Sequence, residues 1–261
     1  FGSPGSSLLG PSMKRISRLD SRLSLEFNRY TTALDAVSLS VDAGEIFGVI
    51  GPAGSGKSTL VRILGTLIAP DSGEARVFGL DVVRQAIQVQ NLTNRVSVEA
   101  SLFPKRTVME NLLAGQRGST ASWARSLQQA QSLLERLGVT PAQIHRPAGE
   151  LDRSGQQKIS LARAILSRPR LLLLDEPATG LEGQDRQALF ELLLELREQE
   201  GTTILLTGNA PIELNSLCDR IAVLEEGRLV ASGDPDALER FLAKNASRSL
   251  LTDLVLASLY D

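Results

Sequence analysis

The sequence predicts an α/β protein whose core is a mostly parallel sheet, with an antiparallel β part and a helical insertion. Apolar runs at residues 46–50 and 170–177 read as buried strands, and stretches with helical periodicity alternate with them. Strands that alternate with helices favour parallel pairing. A glycine-rich turn joins the first of these strands to a helix, and the rest of the chain is organised around this junction.

This turn, GPAGSGKST, fits the phosphate-loop pattern G-x-x-x-x-G-K-[ST]. Glycines let the backbone close around an anion with its N–H groups pointing inward, and the helix that follows adds partial positive charge. Lys57 can reach terminal phosphates, and the Ser58 hydroxyl can bind Mg²⁺. We therefore predict a P-loop NTPase core. Its predicted nucleotide-binding residues in this turn are Gly51, Pro52, Ala53, Gly54, Ser55, Gly56, Lys57, Ser58 and Thr59.

Composition narrows the class of protein. The 261 residues are 42% hydrophobic, enough for one large domain, and the net charge of −2 gives no basic footprint for nucleic acid. Cys218 is the single cysteine, which excludes an internal disulfide. No apolar stretch approaches the ~18 residues of a membrane span, and we expect no secretory signal. Residues 1–12 are predicted to be a tag, linker or disordered tail ahead of a domain at 13–261.

Two stretches ahead of the turn, at 23–27 and 37–41, alternate apolar and polar residues and are predicted as strands. Tyr30 lies between them. An aromatic ring there could stack on a nucleotide base, which is worth about 1–3 kcal/mol elsewhere. Phe27 is the competing candidate for this contact, and the alternative for Tyr30 is packing within the hairpin.

The middle of the chain is predicted to be mainly helical. Thr107, with Glu110 three residues later, forms a capping box at the start of one helix. The helical insertion therefore covers about residues 100–168. Predicted elements of this half of the chain are helix 57–67, strands 74–78 and 95–98, and helix 121–137 ended by Gly138.

The second buried strand ends in two acids, at the sheet edge where parallel strands form a ligand crevice. Asp175 is placed to hold Mg²⁺ or its water, and Glu176 to orient and deprotonate an attacking water. The alternative is a strand that ends in two solvated acids. The predicted elements that follow are helix 184–200, strands 202–207, 221–224 and 228–231, a helix from Pro235 capped by Asp234, and helix 249–259.

Over residues 14–261 the chain resembles the nucleotide-binding domain of an ABC transporter. The resemblance rests on the phosphate loop, LARA, LLLLDEP, TGLE and CDRIAVLEEGRLVASGDP, in this order, and the tail SLLTDLVLASLY is similar to the ending of an exporter-type subgroup. It implies that ATP and Mg²⁺ are bound in a head-to-tail dimer. Each ATP then lies between one subunit's phosphate loop and the other's LSGGQ signature, and the helical insertion docks on a transmembrane permease.

The signature of this chain departs from LSGGQ. Counting back ten residues from LARA gives Leu151-Asp152-Arg153-Ser154-Gly155. Asp152 then puts a carboxylate where the family has a serine hydroxyl at the γ-phosphate of the opposite site, and like charges repel. A slipped alignment uses Ser154-Gly155-Gln156, with one glycine missing. The sequence leaves both alignments open.

Three more positions differ from the family pattern. Val98 stands at the glutamine of the glutamine loop, and Glu99 beside it is a candidate replacement ligand for the metal. Asn209 stands at the switch histidine and cannot become positive. Glu182 replaces the aspartate after TGL. Because losing one transition-state donor costs about 10²–10³ in rate, we expect slow hydrolysis.

The sequence thus predicts a peripheral ATP-binding subunit on the cytoplasmic face of a membrane, with weak hydrolysis. Its expected partners are transmembrane permease subunits and a second, different ABC ATPase subunit, without nucleic acid. One alternative is a soluble ABC ATPase that acts on nucleic acid or ribosomes. Another is a non-catalytic regulatory subunit that binds ATP.

Overall fold

The computed structural model describes residues 32–97, 101–114, 120–209 and 214–244. All of them belong to one compact unit, Thr32–Asp261, and the other unit, Phe1–Thr31, lies outside the described residues. The predictions for residues 1–12, the first strand, Phe27, Tyr30, Val98, Glu99 and the helix at 249–259 also lie outside them.

The central sheet has six described strands, and all neighbours pair in parallel except the last two. In spatial order they are β4 (Thr93–Val96), β5 (Leu171–Leu174), β6 (Thr203–Gly208), β1 (Ile46–Ile50), β7 (Arg220–Glu225) and β8 (Arg228–Gly233). A separate antiparallel pair joins β2 (Arg76–Val77) to β3 (Leu80–Asp81). This confirms the predicted α/β fold with a mostly parallel sheet and an antiparallel part.

All the helices but the last lie in connections between strands, and the last one follows β8. They are α1 (Lys57–Leu64), α2 (Ala86–Leu92), α3 (Val108–Leu113), α4 (Thr120–Arg136), α5 (Pro141–Ile144), α6 (Arg153–Leu166), α7 (Gly183–Glu200) and α8 (Pro235–Lys244), with a 3-10 turn at Ala148–Glu150. Four of these helices, α3 to α6, form the helical insertion between β4 and β5. Among the described residues, none of the helices combines the length and apolarity that a bilayer crossing requires.

Local sequence signals account for several helix ends. The predicted capping box is present at α3, where Glu110 N donates to Thr107 Oγ1 at 3.2 Å and Thr107 N donates to Glu110 Oε2 at 2.8 Å. Gly138, at φ 73°, follows the end of α4, and Gly201, at φ 65°, ends α7. Glycine suits both positions because it adopts a left-handed backbone without a Cβ clash.

Two predictions of strands need correction. Residues 37–41 form no regular strand, although Val37, Leu39 and Val41 alternate in burial and pack against the core. The strand expected at 74–78 is reduced to the two residues of β2, because Gly79 turns the chain back into β3. The helix α2 was not predicted at all, since its exposed Ile87 interrupts the amphipathic pattern.

The core has two layers, one on each face of the sheet. Alternate residues of β5 divide between them: Leu172 and Leu174 join the layer that packs on the helical insertion, while Leu171 and Leu173 join the layer under α1. Such division is expected for a strand buried on both faces, which is why its sequence is continuously apolar.

Candidate functional site

The site lies where three neighbouring parallel strands end. In the register of the sheet Ile50 of β1 faces Gly208 of β6, and Leu174 of β5 faces Leu206 of the same strand. The residues that follow or finish these strands therefore meet at one edge. They are the glycine-rich turn, the two acids after β5, and Thr207 near the end of β6.

The glycine-rich turn is held by close backbone packing that only glycine permits. At Gly56, which has φ 103°, an added Cβ would lie 2.4 Å from the carbonyl oxygen of Ala33. At Gly51 it would lie 2.1 Å from the carbonyl oxygen of Leu224. The two glycines of the phosphate-loop pattern thus fix the turn against neighbouring backbone, in addition to leaving room for an anion.

Lys57 is folded back over the turn. Its Nζ donates hydrogen bonds to the carbonyl oxygens of Gly51, at 2.6 Å, and Pro52, at 3.0 Å, and the residue is only 4% exposed. Burial lowers the pKa of Lys57, while the nearby charges of Glu176 and Asp175 oppose that shift. The ammonium group is therefore held against the backbone of the turn.

Ser58, Asp175 and Thr207 form one hydrogen-bonded cluster. Asp175 Oδ1 accepts from Ser58 Oγ at 3.1 Å and from Thr207 Oγ1 at 2.8 Å. Asp175 itself is 3% exposed. A hydroxyl and a carboxylate so close together are the hard oxygen donors that Mg²⁺ prefers, and water and phosphate oxygens would complete its octahedral shell. The residues present therefore fit the metal that the phosphate-loop motif implies.

Thr207 was missed by the sequence analysis. Besides its bond to Asp175, Thr207 Oγ1 accepts a hydrogen bond from Glu176 N at 2.9 Å, so that one hydroxyl positions both acids. The signal for it was a polar residue at the carboxyl end of an otherwise apolar strand. That signal becomes specific only when β5 and β6 are known to be neighbours.

Glu176 has a strained backbone. Its φ of 50° lies in the left-handed region, which a residue with a Cβ adopts at a cost of about 1–3 kcal/mol. Its carboxylate accepts a hydrogen bond from Thr179 Oγ1 at 3.2 Å, and the residue is half-buried. The strain aims the side chain away from the direction that a regular strand would give it.

The remaining predicted residues lie outside this cluster. Asn209 follows β6 and is exposed, and Glu182 is the residue before α7. Among the described residues, no hydrogen bond joins Asn209 or Asp152 to Lys57, Ser58 or Asp175. The structure therefore unites the phosphate-binding part of the predicted site and leaves the switch and signature positions apart from it.

Asp152 caps the helix α6. Its Oδ1 accepts a hydrogen bond from Gly155 N at 2.8 Å, and Arg153 is the first residue of the helix. Ser154, Gly155 and Gln156 then lie within the first turn, where Gln156 Nε2 donates to Leu151 O at 2.8 Å. Residues of both candidate signature alignments therefore lie at the start of α6, and the choice between the two alignments stays a prediction.

A comparison with protein families identifies this architecture. The model of the family described as "ABC transporter" matches residues 34–179, which is 146 of the 261 residues. The chain belongs to the ABC transporter family. The matched region of this ABC cassette contains the glycine-rich turn, the helical insertion and the two acids after β5.

Curated relatives carry the same type of name. The chain is 37% identical over 223 residues to the daunorubicin/doxorubicin resistance ATP-binding protein DrrA of Streptomyces peucetius, covering 85% of this chain and 67% of that protein. It is 35% identical over 225 residues to the methionine import ATP-binding protein MetN of Rhizobium etli, with shares of 85% and 62%. It is 37% identical over 205 residues to the Nod factor export ATP-binding protein I of the same organism, with shares of 78% and 64%. The chain thus spans about two thirds of the length of these relatives or slightly less.

Solved structures agree with this assignment. An ATP-binding subunit of an ABC transporter superposes with a TM-score of 0.73 at 25% identity, over 85% of this chain and 91% of that one. The ATP-binding cassette MJ0796, in a dimeric post-hydrolysis state with ADP and Pi, gives 0.71 at 25% identity, over 78% and 90%. The predicted P-loop NTPase fold of the ABC type is confirmed.

Proposed function

We propose that this ABC cassette is the ATP-binding subunit of a membrane transporter, that it binds Mg-ATP firmly, and that it hydrolyses ATP slowly. The observation that carries the proposal is the contrast between the hydrogen-bonded Lys57, Ser58 and Asp175 at the phosphate loop and an exposed asparagine, Asn209, at the predicted switch position. It works, in this proposal, at the cytoplasmic face of a membrane, beside permease subunits and a second, different ATPase subunit.

Binding is supported by groups that are already in place. The Lys57 ammonium group is held on the carbonyls of Gly51 and Pro52, within the turn that we propose binds the phosphates. Mg²⁺, held by Ser58 and Asp175, would neutralise phosphate charge. Tyr30 lies outside the described residues, so base stacking by Tyr30 stays a prediction.

Slow hydrolysis is supported by the residue types at the predicted base and switch positions. Glu176 can act as the general base that takes the proton of an attacking water. Asn209 can donate a neutral hydrogen bond but cannot supply the positive charge of a protonated histidine. The reaction therefore retains its base and lacks one cationic donor for the developing charge.

A heteromeric pair is supported by the signature. In a head-to-tail pair of identical chains, Asp152 and Asn209 would stand in both composite sites. A different partner confines Asn209 to one composite site and Asp152 to the other. The relatives whose names describe export and import components support the transporter setting, since each is named as an ATP-binding protein of such a system.

Replacing Asn209 by histidine tests the hydrolysis half of the proposal. We expect Asn209→His to raise the ATPase rate constant by about 10²-fold, since it returns one charged transition-state donor. Glu176→Gln in the same background should abolish the gain. Asn91→His, at an exposed asparagine on α2, is the matched control and should leave the rate as in the wild type.

A test of the proposed partners requires the complex as it is extracted from its membrane. Mass spectrometry of the detergent-solubilised assembly should find this chain with a polytopic membrane protein and a second ATPase in equal amounts. An assembly with two copies of this chain would contradict the heteromeric pair. A stable complex with ribosomes or nucleic acid would favour the soluble alternative.

A further inference from the structure

Thr207 lies in the middle one of the three strands that end at the site. In the register of β6, Thr207 is paired with Val49 of β1 on one side, and its neighbour Leu206 is paired with Leu174 of β5 on the other. Thr207 is 1% exposed. A hydroxyl buried to this depth needs hydrogen-bond partners, since leaving it unpaired is costly. Thr207 finds its partners in the two acids that follow β5.

The two hydrogen bonds of the Thr207 hydroxyl have fixed directions. The N–H of Glu176 can only donate, so Thr207 Oγ1 accepts from it, at 2.9 Å. A carboxylate can only accept, so Thr207 Oγ1 donates its one proton to Asp175 Oδ1, at 2.8 Å. Ser58 Oγ donates to the same Oδ1 atom. A chain of hydrogen bonds therefore runs from the backbone of Glu176, through Thr207, to the oxygen atoms that fit Mg²⁺.

The strained backbone of Glu176 is held from both sides by threonines. The registered pairing of β5 with β6 ends at Leu174, and the φ of 50° at Glu176 turns the chain out of the strand. On the amino side, the Thr207 hydroxyl accepts the Glu176 N–H. On the carboxyl side, Thr179 N donates to Glu176 O at 3.1 Å. A strained residue persists only where its surroundings hold it, so the loss of either threonine contact should loosen Glu176.

We propose that Thr207 is a positioning residue that couples the predicted metal site to the predicted general base. This inference rests on the proposed binding of Mg-ATP. When the Asp175 carboxylate is held in one orientation, the Thr207 proton is held with it, and Oγ1 keeps a lone pair aimed at the Glu176 N–H. Order imposed on Asp175 is thereby passed to the backbone of Glu176, since linked hydrogen bonds strengthen one another.

Substitutions on one strand separate this coupling from general stability. Thr207→Val keeps the shape of the side chain and removes both hydrogen bonds, while Thr207→Ser keeps the hydroxyl. Thr203→Val is the matched control, because Thr203 is buried near the other end of β6 and its hydroxyl accepts from Gly44 N at 2.9 Å. Both valine variants leave one backbone N–H without its acceptor, so they should lose similar stability.

The first measurement is amide hydrogen exchange at Glu176, resolved by mass spectrometry. In the protein without nucleotide, Thr207→Val should raise the exchange rate about tenfold, the effect of losing one hydrogen bond. Saturating Mg-ATP should slow this exchange in the wild type and in Thr207→Ser, and have no such effect in Thr207→Val. Thr203→Val should behave as the wild type does.

The second measurement is calorimetric titration with ATP, once with Mg²⁺ and once in EDTA. Thr207→Val should raise the dissociation constant about tenfold with Mg²⁺, because a carboxylate that binds a metal weakly without its hydrogen-bond partner lowers affinity by at least this factor. The dissociation constant in EDTA should stay the same. Thr207→Ser and Thr203→Val should match the wild type in both titrations.

The inference is overturned if Thr207→Val binds Mg-ATP as the wild type does, if it weakens binding equally in EDTA, or if Thr203→Val produces the same changes. Should Thr207→Val not fold, Thr207→Cys replaces it, since a thiol is only a weak donor and acceptor, and its changes should have the same direction. Failure of the proposed function would be distinct: the wild type itself would bind no Mg-ATP, while the exchange at Glu176 would still respond to Thr207→Val. The coupling would then fall with the function it serves.

Discussion

Two helices of this ABC cassette begin at positions predicted to be functional, and their N-termini differ in one respect. The helix α1 begins after Gly56, with no side-chain cap and no acidic residue in its first turn. The helix α6 begins after Asp152, whose carboxylate already accepts a hydrogen bond from Gly155 N. A helix N-terminus attracts negative charge. That charge must come from a ligand at α1, whereas the protein supplies its own at α6.

The N-termini of α1 and α6 are expected to belong to different halves of an ABC-type site, because α1 would bind ATP in the same subunit and α6 would face the ATP of a partner. The end expected to bind the phosphates of ATP in the same subunit has no side-chain cap, and Lys57 is the first residue of its helix, α1. The end expected to face a partner's terminal phosphate is capped by an anion. We therefore expect this protein to bind ATP at the N-terminus of α1. The N-terminus of α6 should interact only weakly with ATP bound by a partner subunit.

The largest effect is expected at α1, from Lys57→Ala. Charge-assisted hydrogen bonds from a buried ammonium contribute strongly, so the MgATP dissociation constant should rise about 100-fold. Calorimetric titration measures it directly. Lys105→Ala, at an exposed lysine of the helical insertion, is the control. Equal MgATP dissociation constants for the wild type and Lys57→Ala would show that Lys57 at the start of α1 does not bind ATP.

A smaller effect is expected from Ser58→Ala, which takes one oxygen ligand from the predicted metal site. ATP affinity in the presence of Mg²⁺ should fall about tenfold, while affinity in EDTA should stay the same, because the hydroxyl acts through the cation. The control is Ser72→Ala at an exposed serine. A similar loss with and without Mg²⁺ would show that the hydroxyl binds phosphate alone.

The smallest effect concerns α6. Asp152→Ser keeps an oxygen cap and removes the negative charge, so folding should be unaffected while ATP-dependent pairing of subunits strengthens about fivefold. Analytical ultracentrifugation in the presence of ATP measures this pairing, with Asp152→Ser introduced into the Glu176→Gln variant and compared with Glu176→Gln alone. Asp152→Ala also loses the cap and should lower the free energy of unfolding by about 1 kcal/mol. Unchanged pairing in Asp152→Ser would mean that the carboxylate does not face the partner's phosphate.

The sequence predicted those parts of the fold and site that depend on local rules. Periodicity and glycine placement predicted β1, α1, the capping box of α3 and the acids after β5, because each signal lies within a few residues. It missed Thr207, since the contacts of Thr207 join strands that are distant in sequence and depend on the strand order. It also predicted a strand at 37–41, where burial alternates without strand pairing among the described residues.

We propose above that this chain binds Mg-ATP tightly and hydrolyses it slowly. Rapid mixing of the purified wild-type chain with substoichiometric radiolabelled ATP and Mg²⁺, followed by quenching, measures bound nucleotide and released phosphate in one experiment. We expect the ATP to bind and to stay intact for minutes. Hydrolysis of the bound ATP at about 1 s⁻¹ or faster, within the usual range of enzymes, would contradict it.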